Sequence, residues 1–439
     1  MHSMLDLGQS RQNVSSTMPG DTRCKSEQKN LKYDKGLLFL ARFTRLFAYG
    51  ALSVVLVFYL TGIGLTESRV GMLLTLTLLG DTIISLILTT QADRIGRRRM
   101  LIVGSSLMAG AGLAFALTSN FLFLVVAGTI GVISPSGNEV GPFLSIEQAA
   151  LAHVVSASNR TTAFAWYTLT GSFATAIGSL CGGIVPSLVD SSGTVPIRGY
   201  RSVVIAYAVL GIVLALVFAQ LSSATEVGQS EDRPSGLAVK KTLLGIGHSR
   251  GIVFRLSGLF ALDSFGGGFV VQSLAAYWFY LRFGVKPAAL GAIFFGANLF
   301  AGVSALLASR LASRIGLVRT MVFTHLPSNI LLILLPLMPS LRLAIGVLLL
   351  RFSISQMDVP TRQSYTMAVV RPEERAAAAG ITGVARTIGA SIPPMFVGIM
   401  FARPNWINAP FFIAGTLKIA YDLLLYRQFV AIQPPEEKF

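Results

Sequence analysis

Twelve apolar stretches follow one another between residues 36 and 428, each near the length needed to cross a bilayer, and they leave little chain for anything else. A transmembrane helix takes roughly 20 predominantly apolar residues, so this succession predicts an all-α membrane protein. Composition agrees. The chain is 53% hydrophobic and 13% charged, whereas soluble domains carry about 25% charged residues. Six stretches fill 36–220 and six fill 252–428, separated by a hydrophilic segment over 221–251. The polar ends, 1–35 and 429–439, are expected to be cytoplasmic tails, the first of them disordered. No span is left for a soluble catalytic domain. The central segment is also short for the ordered domain that a membrane sensor would carry.

The formal net charge of +16 suggests nucleic acid until the charges are placed. Of the 36 Lys and Arg, seven (Arg42, Arg45, Arg255, Arg351, Arg362, Arg386 and Lys418) fall inside the apolar stretches. Seven more (Arg69, Arg198, Arg201, Arg282, Lys286, Arg342 and Arg403) fall in one set of alternate connections. The remaining 22 crowd into the tails, the central segment and the other connections. This is the positive-inside bias, which sets orientation. It predicts a multi-pass protein of the cell membrane with both termini in the cytoplasm and no polyanionic partner. Cys24 lies in the N-terminal tail and Cys181 inside a stretch, so no disulfide framework is implied.

The chain repeats itself. A shift of 220 residues lays ADRIGRRRM (92–100) on ASRIGLVRT (312–320), Gly64 on Gly284 and Gly71 on Gly291. A shift of 215 lays IEQAALAHVVSASNR (146–160) on TRQSYTMAVVRPEER (361–375), with Gln148 on Gln363 and Arg160 on Arg375. The two halves read as copies of one six-helix unit.

Paired six-helix halves, a central segment and a short loop reading Asp93-Arg94-Ile95-Gly96-Arg97-Arg98 resemble the major facilitator superfamily of secondary transporters. The resemblance spans nearly the whole chain beyond residue 35 and implies two pseudo-symmetric halves of six helices. It also implies a gate at the cytoplasmic face made by Asp93, Arg94, Gly96, Arg97 and Arg98, with Arg314 in the second copy. There Asp93 would latch onto basic groups or a helix N-terminus of the other half. The chain departs from the family pattern in two places: Thr89 stands where the motif usually begins with Gly, and Ser313 replaces the acid in the second copy. Helix 5 carries Gly171, Gly178, Gly182 and Gly183, similar to the glycine-rich helix of drug/proton antiporters. Their Gly-Pro pair and their helix-4 arginine are absent.

The fourth stretch is interrupted. FLFLVVAGTI (121–130) is followed by GVISPSGNEVGPFLSIEQAAL (131–151), which places Pro135, Gly137, Asn138, Glu139, Gly141 and Pro142 where hydrocarbon demands apolar residues. An unbroken helix from 120 to 155 would run about 54 Å at 1.5 Å per residue, against a core of about 30 Å. The tenth stretch, RFSISQMDVPTRQSYTMAVV, carries Pro360 and is expected to break or kink as well. Matching interruptions in the two halves point to a midplane binding site. The expected pathway residues are Asn138, Glu139, Glu147, Gln148, Arg351, Asp358, Arg362 and Gln363, joined by Asp81, Asp263 and Arg386, because intramembrane ionisable groups are costly. In the repeat register Glu147 meets Arg362, which suggests an ion pair across the two walls. Glu139, in the break itself, is the expected proton carrier. Arg42, Arg45 and Arg255 could snorkel to the near surface. Lys418 and Asp422 could neutralise one another at i,i+4, His153 and His325 read as boundary residues, and the scattered histidines suggest no metal site.

These readings predict a monomeric, proton-coupled transporter of a small organic solute working by alternating access, with an ion gradient in place of a cofactor. The alternatives are a uniporter or uptake carrier for an organic anion held by Arg351, Arg362 or Arg386, and a membrane sensor built on a transporter fold. No nucleophile–base or metal-ligand spacing supports an enzyme.

Overall fold

The computed structural model describes residues 19–137, 141–156, 160–189, 196–222, 225–226 and 246–432. Ten of the described helical spans are long and apolar enough to cross a membrane. The first half comprises α1 (Pro19–Gly62), α2 (Glu67–Ile95), α3 (Arg97–Leu117), α4 (Phe121–Ile130), α5 (Phe143–Val154), α6 (Arg160–Val189) and α7 (Pro196–Ala219). The second comprises α8 (Arg250–Gly268), α9 (Gln272–Phe283), α10 (Pro287–Ile315), α11 (Leu317–Leu334), α12 (Leu341–Phe352), α13 (Asp358–Ala368), α14 (Arg375–Ser391), α15 (Pro393–Phe401) and α16 (Ala409–Phe429). The fourth and tenth places in the order are held by the shorter pairs α4/α5 and α12/α13.

The repeat in sequence is a repeat in space. The ends of α2 and α10 correspond under the 220-residue shift, while α5 and α13 begin 215 residues apart. The change of register therefore falls inside the two breaks, 131–142 and 353–357. Gly96 and Gly316 turn the chain at φ 115° and 88°, and Gly64 and Gly284 do so at φ 97° and 66°. A side chain is strained at such angles, which explains why these glycines recur at the 220-residue spacing. We call the end that carries Gly96, Gly316 and the start of α1 the basic end, and the opposite one the far end.

Two expectations change. Residues 19–35, expected to belong to a disordered tail, continue α1, and the buried Asp34 fastens it by accepting from the Ser222 N–H at 2.9 Å. The tenth helix breaks before Pro360 rather than at it. The turn 353–357 precedes α13, and Pro360 is the third residue of that helix, in the first turn, where a missing N–H costs nothing.

The halves meet along α6 against α10 and α2 against α14 and α15. Glycine permits both contacts. A Cβ on Gly183 would lie 2.7 Å from the Gly291 Cα, and one on Gly71 would lie 2.9 Å from the Gly398 Cα. Gly71 and Gly291 are repeat equivalents under the shift of 220, and Gly183 and Gly398 under that of 215, so the two crossings are related by the pseudo-symmetry.

Hydrogen bonds between the halves gather toward the far end. Gln272 Nε2 donates to Ser53 Oγ at 2.8 Å and to Ser179 Oγ at 3.0 Å, and Asn298 Nδ2 donates to Ser179 Oγ at 3.4 Å. Tyr277 OH donates to Glu67 at 3.1 Å, and the Met395 N–H donates to Thr75 Oγ1 at 3.0 Å. Substituting Gly183→Val should wedge this end apart. With the native cysteines replaced, a cysteine at Ser273 should react faster with an impermeant thiol reagent applied from the far side; an unchanged rate would show that the crossing is not part of the seal.

Candidate functional site

The first break lies against the opposite half. In hydrocarbon its backbone groups must find partners in the protein, and four of the described ones do so as follows. Tyr207 OH donates to the Val132 carbonyl at 2.7 Å, Thr175 Oγ1 to that of Gly137 at 3.3 Å, and the Ser273 N–H, in the first turn of α9, to that of Pro135 at 3.1 Å. The Gly141 N–H donates to Asp81 Oδ2 at 3.0 Å. Asp81 on α2 is buried, and its Oδ1 has no partner among the described residues. Asn138 and Glu139, the two polar side chains expected within the break, lie outside the described residues, so Glu139 as proton carrier has no structural account here.

Glu147, fully buried on α5, pairs with Arg45 of its own half. Arg45 Nη1 donates to Oε1, Nη2 donates to Oε2 at 2.9 Å, and Tyr167 OH donates to Oε2. The guanidinium of Arg45 also sits 4.7 Å from the Phe143 ring centroid, and that of Arg42 lies 4.7 Å from Tyr167. The suggested pair between Glu147 and Arg362 is not formed. Arg45 does not snorkel either, because a buried carboxylate on the neighbouring helix offers a bidentate partner closer than the surface.

The second half holds a larger cluster around Asp263 on α8. Lys418 Nζ donates to Oδ1 at 2.6 Å and Arg362 Nη1 to Oδ2 at 2.9 Å, with Asp358 Oδ2 3.3 Å from the same Nη1. His325 on α11 places Nε2 3.7 Å from Asp263 and Nδ1 2.8 Å from Asp422, whose other oxygen accepts from Asn329 Nδ2 at 2.9 Å. Lys418 and Asp422 thus serve different partners instead of each other, and His325 is buried rather than at a boundary. The i,i+4 reading failed because three helices converge there and offer each group a partner on another helix. Asp263, His325 and Asp358 stand close enough to share a cation. Arg362 and Lys418 already occupy that space, so the trio does not suit a metal.

Arg351 lies in the last turn of α12 and Arg386 on α14, each with an Nε that is buried and unpartnered among the described residues. Gln148 is half-buried beside Glu147, and Gln363 is exposed. Sequence reasoning missed Tyr167, His325, Asn329 and Lys418 as members of these clusters. The usable signal was that each buried acid required a donor from another helix.

At the basic end, Glu226 accepts from the Arg97 N–H at 2.7 Å and the Arg98 N–H at 3.1 Å, closing the start of α3 after Gly96. The Arg98 guanidinium donates to the Ala219 carbonyl. These partners belong to the same half and the central segment. Arg94 and Arg314 are exposed, and the side chain of Asp93 lies outside the described residues. Thr89, in place of the usual glycine, sets Oγ1 3.2 Å from Ser145 Oγ on α5.

The sequence matches the Major Facilitator Superfamily over residues 38–394, and the chain belongs to that family of membrane transporters. It is 32% identical to the uncharacterized membrane protein YJR124C of Saccharomyces cerevisiae (strain ATCC 204508 / S288c), over 92% of this chain and 96% of that protein. Its fold is similar to that of a bacterial homologue of the human lysosomal transporter Spinster in an inward-facing, unoccupied conformation. That match has a TM-score of 0.70 and 16% identity over 91% of this chain and 98% of the other. It is also similar to a D-xylose–proton symporter, with a TM-score of 0.67 and 15% identity over 91% and 97%.

Removing one member of a buried ion pair costs about 3–5 kcal/mol, because its partner stays buried and charged. Glu147→Gln or Arg45→Met alone should therefore destabilise the first half by about that amount. The double variant should recover most of it, as read by thermal unfolding in a double-mutant cycle; additive losses would mean that the pair is not coupled.

Proposed function

We propose that this chain moves a small organic solute across the cell membrane by alternating access driven by a proton gradient, acting as a monomer with both termini in the cytoplasm. The observation that carries the coupling is the setting of Asp81. Glu147, Asp263 and Asp358 each face a buried base, so protonating one of them strands a cation in a low-dielectric interior. Asp81 has a backbone N–H on one oxygen and no base on either among the described residues. It can take up and release a proton without breaking an ion pair.

Its position links that proton to movement. One face of α2 ties Asp81 to the first break, and the same helix carries Thr75, which engages α15 of the other half. The basic loops support the orientation. The gathering of inter-half bonds at the far end supports a state closed to the outside, and the likeness to an inward-facing structure agrees. The similar D-xylose–proton symporter supports coupling to protons.

Flux into proteoliposomes, with and without an imposed pH gradient and across a panel of drugs, organic acids and sugars, tests this reading. Asp81→Asn keeps an acceptor for the Gly141 N–H. It should lose gradient-driven accumulation at least tenfold while retaining exchange across equal pH. Accumulation at the wild-type rate would remove Asp81 from the coupling step.

A further inference from the structure

Among the described residues, the ion pairs join side chains of one half. The hydrogen bonds that cross between the halves are made by neutral groups, apart from the half-buried Glu67 that accepts from Tyr277. The division matters wherever the halves must part. A neutral hydrogen bond is exchanged for one to water at little net cost, whereas splitting a buried ion pair strands two charges in low dielectric.

The crossing bonds converge on Gln272, the first residue of α9. Its carboxamide is oriented from within the second half. Asn298, tied to its own helix by donating from Nδ2 to the Phe294 carbonyl at 2.9 Å, also donates to Gln272 Oε1 at 3.1 Å. Nε2 is thereby aimed at the first half, where it donates to Ser53 Oγ on α1 at 2.8 Å and to Ser179 Oγ on α6 at 3.0 Å. Both serines are fixed as acceptors, because each hydroxyl gives its own hydrogen to the Gly50 carbonyl, at 2.8 and 3.4 Å. Gly137 of the first break completes the socket. A Cβ there would lie 3.1 Å from Ser53 Oγ and 3.5 Å from Gln272 Nε2. One nitrogen of the second half thus spends its two hydrogens on two helices of the first.

We propose that Gln272 is the residue that holds the far side shut, a neutral clasp that only a side chain with an N–H₂ group can form. It rests on the transport reading above in one respect, that this seam has to part. Glutamate at position 272 would keep the shape. When ionised, however, it would offer an acceptor to two oxygens whose hydrogens are already engaged.

The test uses full-length protein in sealed vesicles with Cys24 and Cys181 replaced and a cysteine placed at Ser273, whose hydroxyl has no partner among the described residues. An impermeant thiol reagent is applied from the far side, without solute or gradient. Gln272→Leu and Gln272→Glu should each raise the labelling rate at least tenfold over the parent. Ser53→Ala combined with Ser179→Ala should do the same, and adding Gln272→Leu to that pair should change little, since the clasp is already lost. Acidifying the far side returns one donor to Gln272→Glu, so its rate should fall relative to that of Gln272→Leu at the same pH. A variant that is merely misfolded would not respond in this way, and the side chains bonded to Gln272, Ser53, Ser179 and Asn298, carry no charge to titrate instead. The proposal fails if Gln272→Leu or the serine pair reacts no faster than the parent, if Gln272→Glu matches the parent at neutral pH, or if its rate keeps pace with that of Gln272→Leu on acidification. Labelling is read without a gradient. Loss of proton-driven flux with the labelling pattern intact therefore overturns only the coupling, and unchanged labelling with flux intact overturns only the clasp.

Discussion

The carboxylate of Asp263 draws a base from each of two other helices to one point, Lys418 of α16 at 2.6 Å and Arg362 of α13 at 2.9 Å, with His325 of α11 3.7 Å away. Within a bilayer such groups cannot fall back on water. Each is therefore obliged to find its opposite across a helix–helix contact, and the packing of the second half is arranged around that obligation. The first half meets the same demand more simply, with the Arg45–Glu147 pair and the Tyr167 hydroxyl. The two halves, alike in backbone, have thus reached unlike electrostatic solutions. One rests on a single bidentate pair, and the other on a network that spans α8, α11, α13 and α16.

Backbone groups obey the same rule where the fourth helix stops. The carbonyls of Val132, Pro135 and Gly137 and the N–H of Gly141 are each answered, by Tyr207, Ser273, Thr175 and Asp81. One of these answers comes from the opposite half. The break is consequently both an interruption of one helix and a contact between halves, and the glycine crossings at Gly71–Gly398 and Gly183–Gly291 bring the backbones near enough for it to form.

Much of this was legible in the sequence, and the boundary follows physical lines. Apolar run length gives the spans, because the bilayer fixes the length a helix needs. The prolines and glycines of 131–142 gave the first break, and the matched glycines at 64, 96, 284 and 316 gave the repeat, since few other residues adopt their backbone angles. The partners of the charges were not legible. Pairing Glu147 with Arg362 relied on the repeat register, which relates equivalent positions but does not bring them together. Whether Glu147 meets Arg45 depends on how α1 is rotated against α5, and residue spacing along one helix carries no information about the rotation of another. Lys418 and Asp422 show the same limit: their spacing permits a pair, and the third helix decides otherwise.

The two acids at the basic end have a bearing on how such a chain is put together. Glu226 closes the start of α3, and Glu374 accepts the N–H groups of Gly247, His248 and Ser249 just before α8 at 2.7, 2.9 and 2.9 Å. Each half is finished by a carboxylate encoded on its own side of residues 227–245. A ribosome that has just passed the first six spans has therefore already supplied the group that completes them, and the first half need not wait for the second. A gene divided within 227–245 would leave both carboxylates with the helices they serve, which makes this segment the natural place to express the protein as two polypeptides.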